Sequence, residues 1–191
     1  AGRVASNPSD LKSQLSQDAV KLTWTPPAAN IDGTTPASLL GYNVYRSSSE
    51  KQPARLLNKT PITGAEFRDE FFEFGKQYFY FVRSVSLGTG SEPVESIESN
   101  ILEIKPIDTF APSAPTAITL AVGQNLISIF FATNPEKDIK GYTIYRSIDK
   151  DLDLSRWQVL TPELLDRNSF QDKTVEGGKQ YFYYITATDT A

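Results

Sequence analysis

The sequence predicts an all-β chain made of two tandem domains, and three observations support this prediction. Segments in which every second residue is apolar or aromatic recur along the chain, which is the pattern of half-buried strands. These segments are short and are separated by turn residues, drawn from 12 Pro and 11 Gly in a chain of 191 residues. Three of the segments occur twice, in the same order. The length suits two small domains, each large enough to bury a core.

The duplication defines the domain boundaries. The matched pairs are residues 41–47 and 141–147, residues 75–82 and 178–185, and residues 20–24 and 127–131. Because the order is conserved between the copies and the spacing changes only in the loops, the pairs indicate a duplicated domain. We expect residues 1–106 to form the first domain and residues 107–191 to form the second.

The strands can be placed in chain order from their side-chain alternation. In the first domain a strand at residues 20–24 is followed by one at residues 41–47 and by the clearest alternation of the chain, at residues 78–84. The corresponding segments of the second domain predict the same strands. β-branched and aromatic residues are frequent in them, as strands favour. The only helical signal is TPELL at residues 161–165, a capping threonine followed by proline, which supports one turn at most.

These residues resemble the fibronectin type III family over nearly the whole chain. The matching residues of the first domain are Leu22 and Trp24 in strand B, Gly41, Tyr42, Val44, Tyr45 and Arg46 in strand C, Phe67 and Asp69 in strand E, and Gly75, Tyr78, Tyr80 and Val82 in strand F. Those of the second domain are Ile129 and Phe131, the segment at residues 141–147, Phe170 and Asp172, and Gly178 and Tyr181. The resemblance implies two immunoglobulin-like β-sandwiches.

Four aromatic residues are expected in the cores of these sandwiches. In such a fold one large ring from strand B fills the space between the sheets, and Trp24 and Phe131 suit that role. Tyr78 and Tyr181, near the start of strand F, suit the tyrosine corner, in which the ring is buried and the hydroxyl bonds to upstream backbone. These side chains are therefore predicted to be structural.

The second domain is expected to lack its last strand and so to be incomplete at its C-terminal end. The first domain has a seventh strand near residues 99–104, whereas the sequence stops at Ala191, directly after strand F. Strand F would then have an open edge around residues 183–188. Either the natural chain continues and completes the sheet, which we favour, or a neighbouring molecule supplies a strand.

Composition excludes most catalytic and nucleic-acid-binding functions. The sequence contains no His and no Cys, so thiol nucleophiles, histidine-assisted serine chemistry and the usual zinc ligands are absent. Neighbouring carboxylates such as those of Asp69 and Glu70 point to opposite faces of a strand. The formal net charge of −4 provides no basic surface for nucleic acid. We expect no enzyme activity, no catalytic residues and no cofactor.

One acidic segment has part of a metal-binding pattern. Asp149, Asp151 and Asp153 have the spacing that opens a calcium loop, but such a loop needs glycine at its sixth position and glutamate at its twelfth. Leu154 and Leu160 stand there instead. The segment is therefore predicted to be a solvated loop, and no metal site is predicted.

The outward side of strand F is the first candidate binding surface, together with the neighbouring strand C. If the alternate residues of strand F face the core, the residues between them face outward. The residues of this face are Tyr45, Phe79, Phe81 and Arg83 in the first domain and Tyr145, Phe182 and Tyr184 in the second. Exposed aromatic clusters are places where peptides, sugars or neighbouring domains dock. The alternative, which we favour, is that these rings only stabilise the sheet as cross-strand pairs.

The second candidate is the loop between strands B and C of the first domain, which is longer than its counterpart. It contains the turn signal Asn30, Asp32 and Gly33. In the fibronectin type III family, ligands are often held by this loop and by the loop between strands F and G. The latter, at residues 88–93, lacks the Arg-Gly-Asp tripeptide of integrin-binding members. The favoured alternative is that the longer loop is a tolerated insertion.

The predicted function is a non-catalytic spacer or protein-binding module outside the cytoplasm. The alternative is a carbohydrate-binding accessory module of a surface or secreted enzyme, so the partner is a protein or a polysaccharide.

The proline-rich linker at residues 108–115 resembles the joints of exported or lipid-anchored bacterial surface proteins. The sequence contains no Met, so we expect a processed or trimmed product, and any export signal or lipid-anchor cysteine would lie upstream of it. No apolar run approaches the roughly 18 residues of a membrane span.

Overall fold

Each half of the chain folds into two antiparallel β-sheets that pack face to face around a separate core. The computed structural model describes residues 3–191. The first unit ends at Asp108 and the second begins at Thr109. The predicted all-β fold of two fibronectin type III-like sandwiches is confirmed.

The first unit has two sheets that differ in size. Its described strands are β1 (Ser9–Leu15), β2 (Val20–Thr25), β3 (Gly41–Ser47), β4 (Arg55–Leu56), β5 (Glu66–Asp69), β6 (Tyr78–Leu87), β7 (Pro93–Glu95) and β8 (Leu102–Ile104). One sheet has the order β1-β2-β5 and the other β4-β3-β6-β7, with β8 also pairing with β6. Both β7 and β8 lie on the same edge of β6, because Val85 pairs with Glu95 and Tyr80 pairs with Leu102.

The second unit repeats this arrangement up to its last described strand. Its described strands are β9 (Thr119–Gly123), β10 (Leu126–Phe130), β11 (Ile139–Ser147), β12 (Gln158–Val159), β13 (Ser169–Asp172) and β14 (Phe182–Asp189). The sheets have the orders β9-β10-β13 and β12-β11-β14. Within residues 3–191, β14 pairs with β11 alone, whereas β6 has neighbours on both edges. The prediction that the second sandwich lacks its last strand is confirmed for these residues.

The helical turn predicted at residues 161–165 does not form. The backbone N–H of Ile144 donates to the hydroxyl oxygen of Thr161 at 3.0 Å, so the predicted cap is used for a tertiary contact. The 3-10 turn of the second unit lies earlier, at Leu154–Arg156. There the carboxylate of Asp153 accepts a backbone hydrogen bond at 2.9 Å and caps the turn. The prediction of a turn at residues 161–165 was wrong because the Thr161 hydroxyl accepts from the distant Ile144 instead of capping a local turn.

Large rings fill both cores, as predicted for Trp24 and Phe131. Trp24 is 5% exposed and meets Tyr42 edge to face, with ring centres 5.2 Å apart. Phe131 is 3% exposed and meets Tyr142 in the same way at 4.8 Å. Trp24 and Tyr42 belong to opposite sheets, and Phe131 directly follows β10, opposite Tyr142 of β11. Each contact therefore removes apolar surface of both layers from water and stabilises their packing.

The tyrosine corners also form. The hydroxyl of Tyr78 accepts a hydrogen bond from the backbone N–H of Glu73 at 2.9 Å, and that of Tyr181 accepts one from Glu176 at 2.9 Å. Tyr78 is buried as predicted, but Tyr181 is only half-buried. The difference follows from the last strand, because Ile104 of β8 pairs with Tyr78 in the first unit.

A buried ion pair joins the two sheets of the first unit. Asp69 on β5 is 3% exposed. Its carboxylate accepts hydrogen bonds from Nη1 of Arg46 on β3 and from the hydroxyl of Tyr80 on β6, both at 2.6 Å. We call these three residues the first cross-sheet latch. Because both donors come from the opposite sheet, the latch satisfies a buried carboxylate and connects the layers at once.

The second unit contains the same latch, formed by Asp172, Arg146 and Tyr183. The Asp172 carboxylate accepts from Nη1 of Arg146 at 2.9 Å and from the Tyr183 hydroxyl at 2.7 Å. Thr174 donates its backbone N–H and its hydroxyl to the other carboxylate oxygen. Burial alone would raise the pKa of Asp172, but the hydrogen bonds from Thr174, Tyr183 and Arg146 outweigh it and lower the pKa below the usual 3.8.

We expect acid to destabilise the second unit through this carboxylate. Since the pKa of Asp172 is lower in the folded state than in the unfolded state, its stabilising effect is present above about pH 4 and is lost as the pH falls through the folded value. Glu136 acts in the same direction, because hydrogen bonds from Ser113 lower its pKa to about 2.

The measurement is thermal unfolding between about pH 7 and about pH 2.5, followed by the amide NMR signals of β10 and β11. The variant Asp172→Asn should show a shallower pH dependence than the unchanged chain. An identical pH dependence in the two proteins would contradict the assignment to Asp172.

Candidate functional site

The predicted aromatic face of the first unit lies on the outer side of β3 and β6. Tyr45 pairs with Phe81 across these strands, so their side chains share one side of the sheet. The two rings stack with centres 5.0 Å apart and planes 16° apart. The guanidinium of Arg83 lies 5.4 Å from the centre of the Phe81 ring and 5.7 Å from that of Tyr45. A cation at that distance is attracted to the ring faces, so the three residues form one cluster.

Glu95 on β7 is the polar centre of this face, and sequence reasoning missed it. Its carboxylate accepts hydrogen bonds from the Tyr45 hydroxyl at 2.5 Å and from the amide of Asn43 at 2.8 Å, and it lies 3.5 Å from Nη1 of Arg83. Burial, followed by the hydrogen bond to Glu95, raises the pKa of Tyr45 to about 12. Glu95 could not be predicted from alternation, because its strand, β7, has only three residues.

A groove of about 520 Å³ lies beside this cluster. Phe79, Phe81 and Ile101 supply its apolar lining, although Phe79 is only 9% exposed while Ile101 is 59% exposed. The acidic residues that line it are Glu50, Glu98 and Glu103. The outer face of the first unit therefore combines an accessible apolar surface with a mainly acidic rim.

The aromatic face of the second unit is arranged differently. Tyr145 and Tyr184 stack with ring centres 4.3 Å apart, and Phe182 lies on the same side of β14. Trp157, which sequence reasoning did not select, meets the Tyr184 ring edge to face at 5.1 Å and is 9% exposed. The first unit has Ala54 at the matching position, where it lines the groove. The large indole thus occupies space that is open in the first unit.

The predicted binding loop is held by its own hydrogen bonds. Asn30 is 2% exposed, and its amide bonds to Thr34 at 2.9 Å and to the backbone N–H of Ser38 at 2.8 Å. The carboxylate of Asp32 accepts from the Thr34 hydroxyl and N–H, which lowers the pKa of Asp32. Gly33 has φ of +81°, a conformation that favours glycine. The three residues therefore shape the loop, and the Asp32 carboxylate also reaches its surface.

The acidic loop of the second unit uses its carboxylates for backbone bonds. Asp149 accepts from the Asp151 N–H at 3.0 Å, and Asp153 caps the 3-10 turn. Within residues 3–191, no group of three or more potential metal ligands converges, in this loop or elsewhere. None of the helical segments in that range has the length and apolarity of a membrane span.

Comparison by sequence finds similarity of low identity to a known protein. The chain is 25% identical over 193 aligned residues to a titin homolog from Caenorhabditis elegans, covering 96% of this chain and 1% of that protein. The chain therefore spans only a small part of that relative. No family model matches the sequence.

Solved structures match this chain at low similarity. The FN1-FN3 domains of chicken CNTN1 match 98% of this chain and 64% of that one, at 18% identity and a TM-score of 0.42. An Fn3-like protein from Clostridium thermocellum matches 56% of this chain and 98% of its own, at 24% identity and a TM-score of 0.41. A myokine structure matches 55% of this chain and 99% of its own, at 12% identity and a TM-score of 0.42.

The strand order and registers of both units define fibronectin type III-like β-sandwiches. Domains of this kind commonly serve as spacers or binding modules. The fold alone does not identify a ligand, so the function depends on the surface residues of the individual units.

Proposed function

We propose that this chain is a non-catalytic, extracytoplasmic spacer and protein-binding module. The outer aromatic face of the first unit is its partner surface. The observation that carries the proposal is the groove beside Tyr45 and Phe81, which exposes Ile101 next to an acidic rim. A surface of this composition suits a protein segment that presents apolar side chains together with lysine or arginine.

The ring geometry favours a protein over a polysaccharide. An aromatic platform for a sugar needs a ring face that is free to lie flat against the sugar. The Tyr45 and Phe81 rings instead lie against each other, with Arg83 close to both. In the second unit Tyr184 is stacked on Tyr145 and is also in contact with the edge of Trp157. Carbohydrate binding by an accessory module therefore remains the second candidate.

The test is selection of short peptides on the immobilised 191-residue chain, together with a polysaccharide array. We expect enriched peptides to combine basic and apolar residues, and to lose at least about tenfold in affinity against the double variant Phe81→Ser, Ile101→Ser. The matched control is Phe130→Ser, which removes a 47% exposed phenylalanine from the outer side of the second unit. The control should bind the same peptides as the unchanged chain.

Two results would overturn this assignment. Peptides that bind the double variant and the unchanged chain equally would place the partner surface elsewhere. Saturable binding to a polysaccharide that is lost in the double variant would establish the carbohydrate-binding alternative instead.

The proposed location outside the cytoplasm rests on the likeness of the linker to those of exported surface proteins. The complete reading frame tests it directly. An export signal or a lipid-anchor cysteine upstream would support the proposal, and a reading frame with neither would contradict it.

A further inference from the structure

A groove of about 470 Å³ lies on the outer side of the sheet β9-β10-β13 in the second unit. Ser128 and Phe130 of β10 line it, and they alternate with Ile127 and Ile129, which are buried in the core. Phe130 is 47% exposed, and within residues 3–191 its ring has no aromatic partner. An apolar ring is therefore accessible on an otherwise polar sheet surface.

Two cations lie at opposite ends of β13, on the same groove. β13 pairs with β10 and supplies Ser169 and Gln171 to the lining. Arg167 precedes β13 and Lys173 follows it directly, and both line the groove. Both are exposed, and neither side chain forms an ion pair or a hydrogen bond with the described residues. The groove thus has a positive charge near each end and an uncharged region between them.

The matching face of the first unit has a different charge pattern. Its cations are paired, because Lys21 lies 3.4 Å from Glu66, and Arg68 lies 3.5 Å from both Glu70 and Asp18. In the same order, the corresponding residues of the second unit are Ser128, Ser169, Gln171, Lys173 and Asn125. The three carboxylates of this face therefore have no counterpart at the matching positions of the second unit, and a lysine replaces one of them.

This contrast indicates a ligand that supplies the negative charge itself. A carboxylate near each end of the groove would pair with a cation that the chain leaves unpaired, so the charges of ligand and groove would be complementary. Between the cations, the exposed Phe130 ring can pack against an apolar side chain. The hydroxyls of Ser128 and Ser169 and the amide of Gln171 can form hydrogen bonds with the main chain of a peptide.

An extended peptide fits this spacing better than a polyanionic polysaccharide. A peptide strand rises about 3.3 Å per residue, as β13 does, so carboxylates about six positions apart can reach Arg167 and Lys173 together. A polysaccharide with a charged group on every repeat would also place charges beside Phe130, between the two cations. Such charges would lose water beside an apolar ring without gaining a partner, which costs free energy.

From these observations we propose that the outer face of β10 and β13 binds an acidic segment of a partner protein. The segment is extended, its carboxylates pair with Arg167 and Lys173, and an apolar side chain between them covers Phe130. This site is separate from the aromatic face of the first unit, for which basic peptides are expected. The two sites take ligands of opposite charge, so each can be tested independently of the other.

The probe is a synthetic peptide with the sequence ETLSTSE, blocked at both ends. Added to the isotopically labelled 191-residue chain, it should shift the amide NMR signals of Ser128, Ser169 and Gln171 saturably. Its affinity should fall as the salt concentration rises, because the ion pairs are exposed to solvent. The matched ligand control is the charge-inverted peptide KTLSTSK. This control should leave the three signals unchanged, since its lysines would meet charges of the same sign.

Two double variants separate a local site from a general effect of charge. Arg167→Ser, Lys173→Ser should bind ETLSTSE at least about tenfold more weakly. Lys150→Ser, Arg156→Ser changes the net charge equally, but both residues lie outside the groove, so its affinity should stay within about twofold of the unchanged chain. All four residues are exposed, so the dispersed amide signals of β11 and β14 should persist in both variants. This check separates lost binding from lost folding.

Three results would overturn the proposal. One is the absence of saturable shifts at Ser128 and Gln171 at millimolar peptide. Another is an equal loss of affinity in the two double variants, which would reduce the effect to net charge. The third is tighter binding of a sulfated or carboxylated polysaccharide to the same residues, which would make a polysaccharide the ligand.

Discussion

Replacing Asp69 with alanine is expected to lower the free energy of unfolding of the first unit by about 3 to 5 kcal/mol. The carboxylate is almost completely buried, and the substitution leaves the guanidinium of Arg46 and the hydroxyl of Tyr80 without their shared acceptor. The Arg46 side chain is only 16% exposed, so water replaces the lost carboxylate poorly. Urea unfolding followed by the amide NMR signals of β2 and β6 measures the loss.

Glu66→Ala provides the matched control for this substitution. Glu66 lies on the same strand and also forms an ion pair, with Lys21 at 3.4 Å, but its side chain is 65% exposed. Since exposed ion pairs contribute little, we expect a change within about 0.5 kcal/mol. A loss of less than about 1 kcal/mol for Asp69→Ala would show that the latch does not stabilise the unit.

Replacing Trp24 with alanine is expected to lower the free energy of unfolding of the first unit by about 3 to 5 kcal/mol. The indole fills the space between the sheets and contacts Tyr42, so truncation leaves a cavity that the surrounding strands only partly close. Trp24→Phe is the informative companion, because Phe131 fills the same position in the second unit. It should cost much less than Trp24→Ala in the same urea titration. Equal losses for the two variants would mean that the indole itself, rather than its volume, is required.

The sequence was sufficient to predict which side of each long strand is buried, because side-chain alternation reports this directly, and the family resemblance implied the sandwich. Tyr78 and Val82 alternate with Phe81 and Arg83, and the structure places the first pair in the core and the second pair on the outer side. The core positions of Trp24 and Phe131 were expected from the sandwich that the resemblance implies, and the duplication aligned the two residues with each other. These patterns are formed by residues that are close in sequence, so a single sequence is enough to detect them.

The candidate sites depended more strongly on contacts that are distant in sequence. Glu95 accepts hydrogen bonds from Tyr45 and Asn43, although it is about 50 residues from both in the sequence, and it forms an ion pair with Arg83. Trp157 reaches the Tyr184 ring from the end of the 3-10 turn at Leu154–Arg156, which the sequence analysis did not predict. Short strands and loops of this kind have too few residues to show a period.

By itself, the sequence determined the all-β class, the duplication and the side of each long strand that faces outward, because these follow from periodicity and repeated motifs. The sandwich and its core rings were implied by the family resemblance. Only the tertiary structure decided which polar groups meet. It showed that Asp69 and Asp172 connect the two sheets of their units and that Glu95 accepts hydrogen bonds from the aromatic face. The physical reason is that burial and hydrogen bonding depend on distances between strands, and those distances are set by the packing of the sheets.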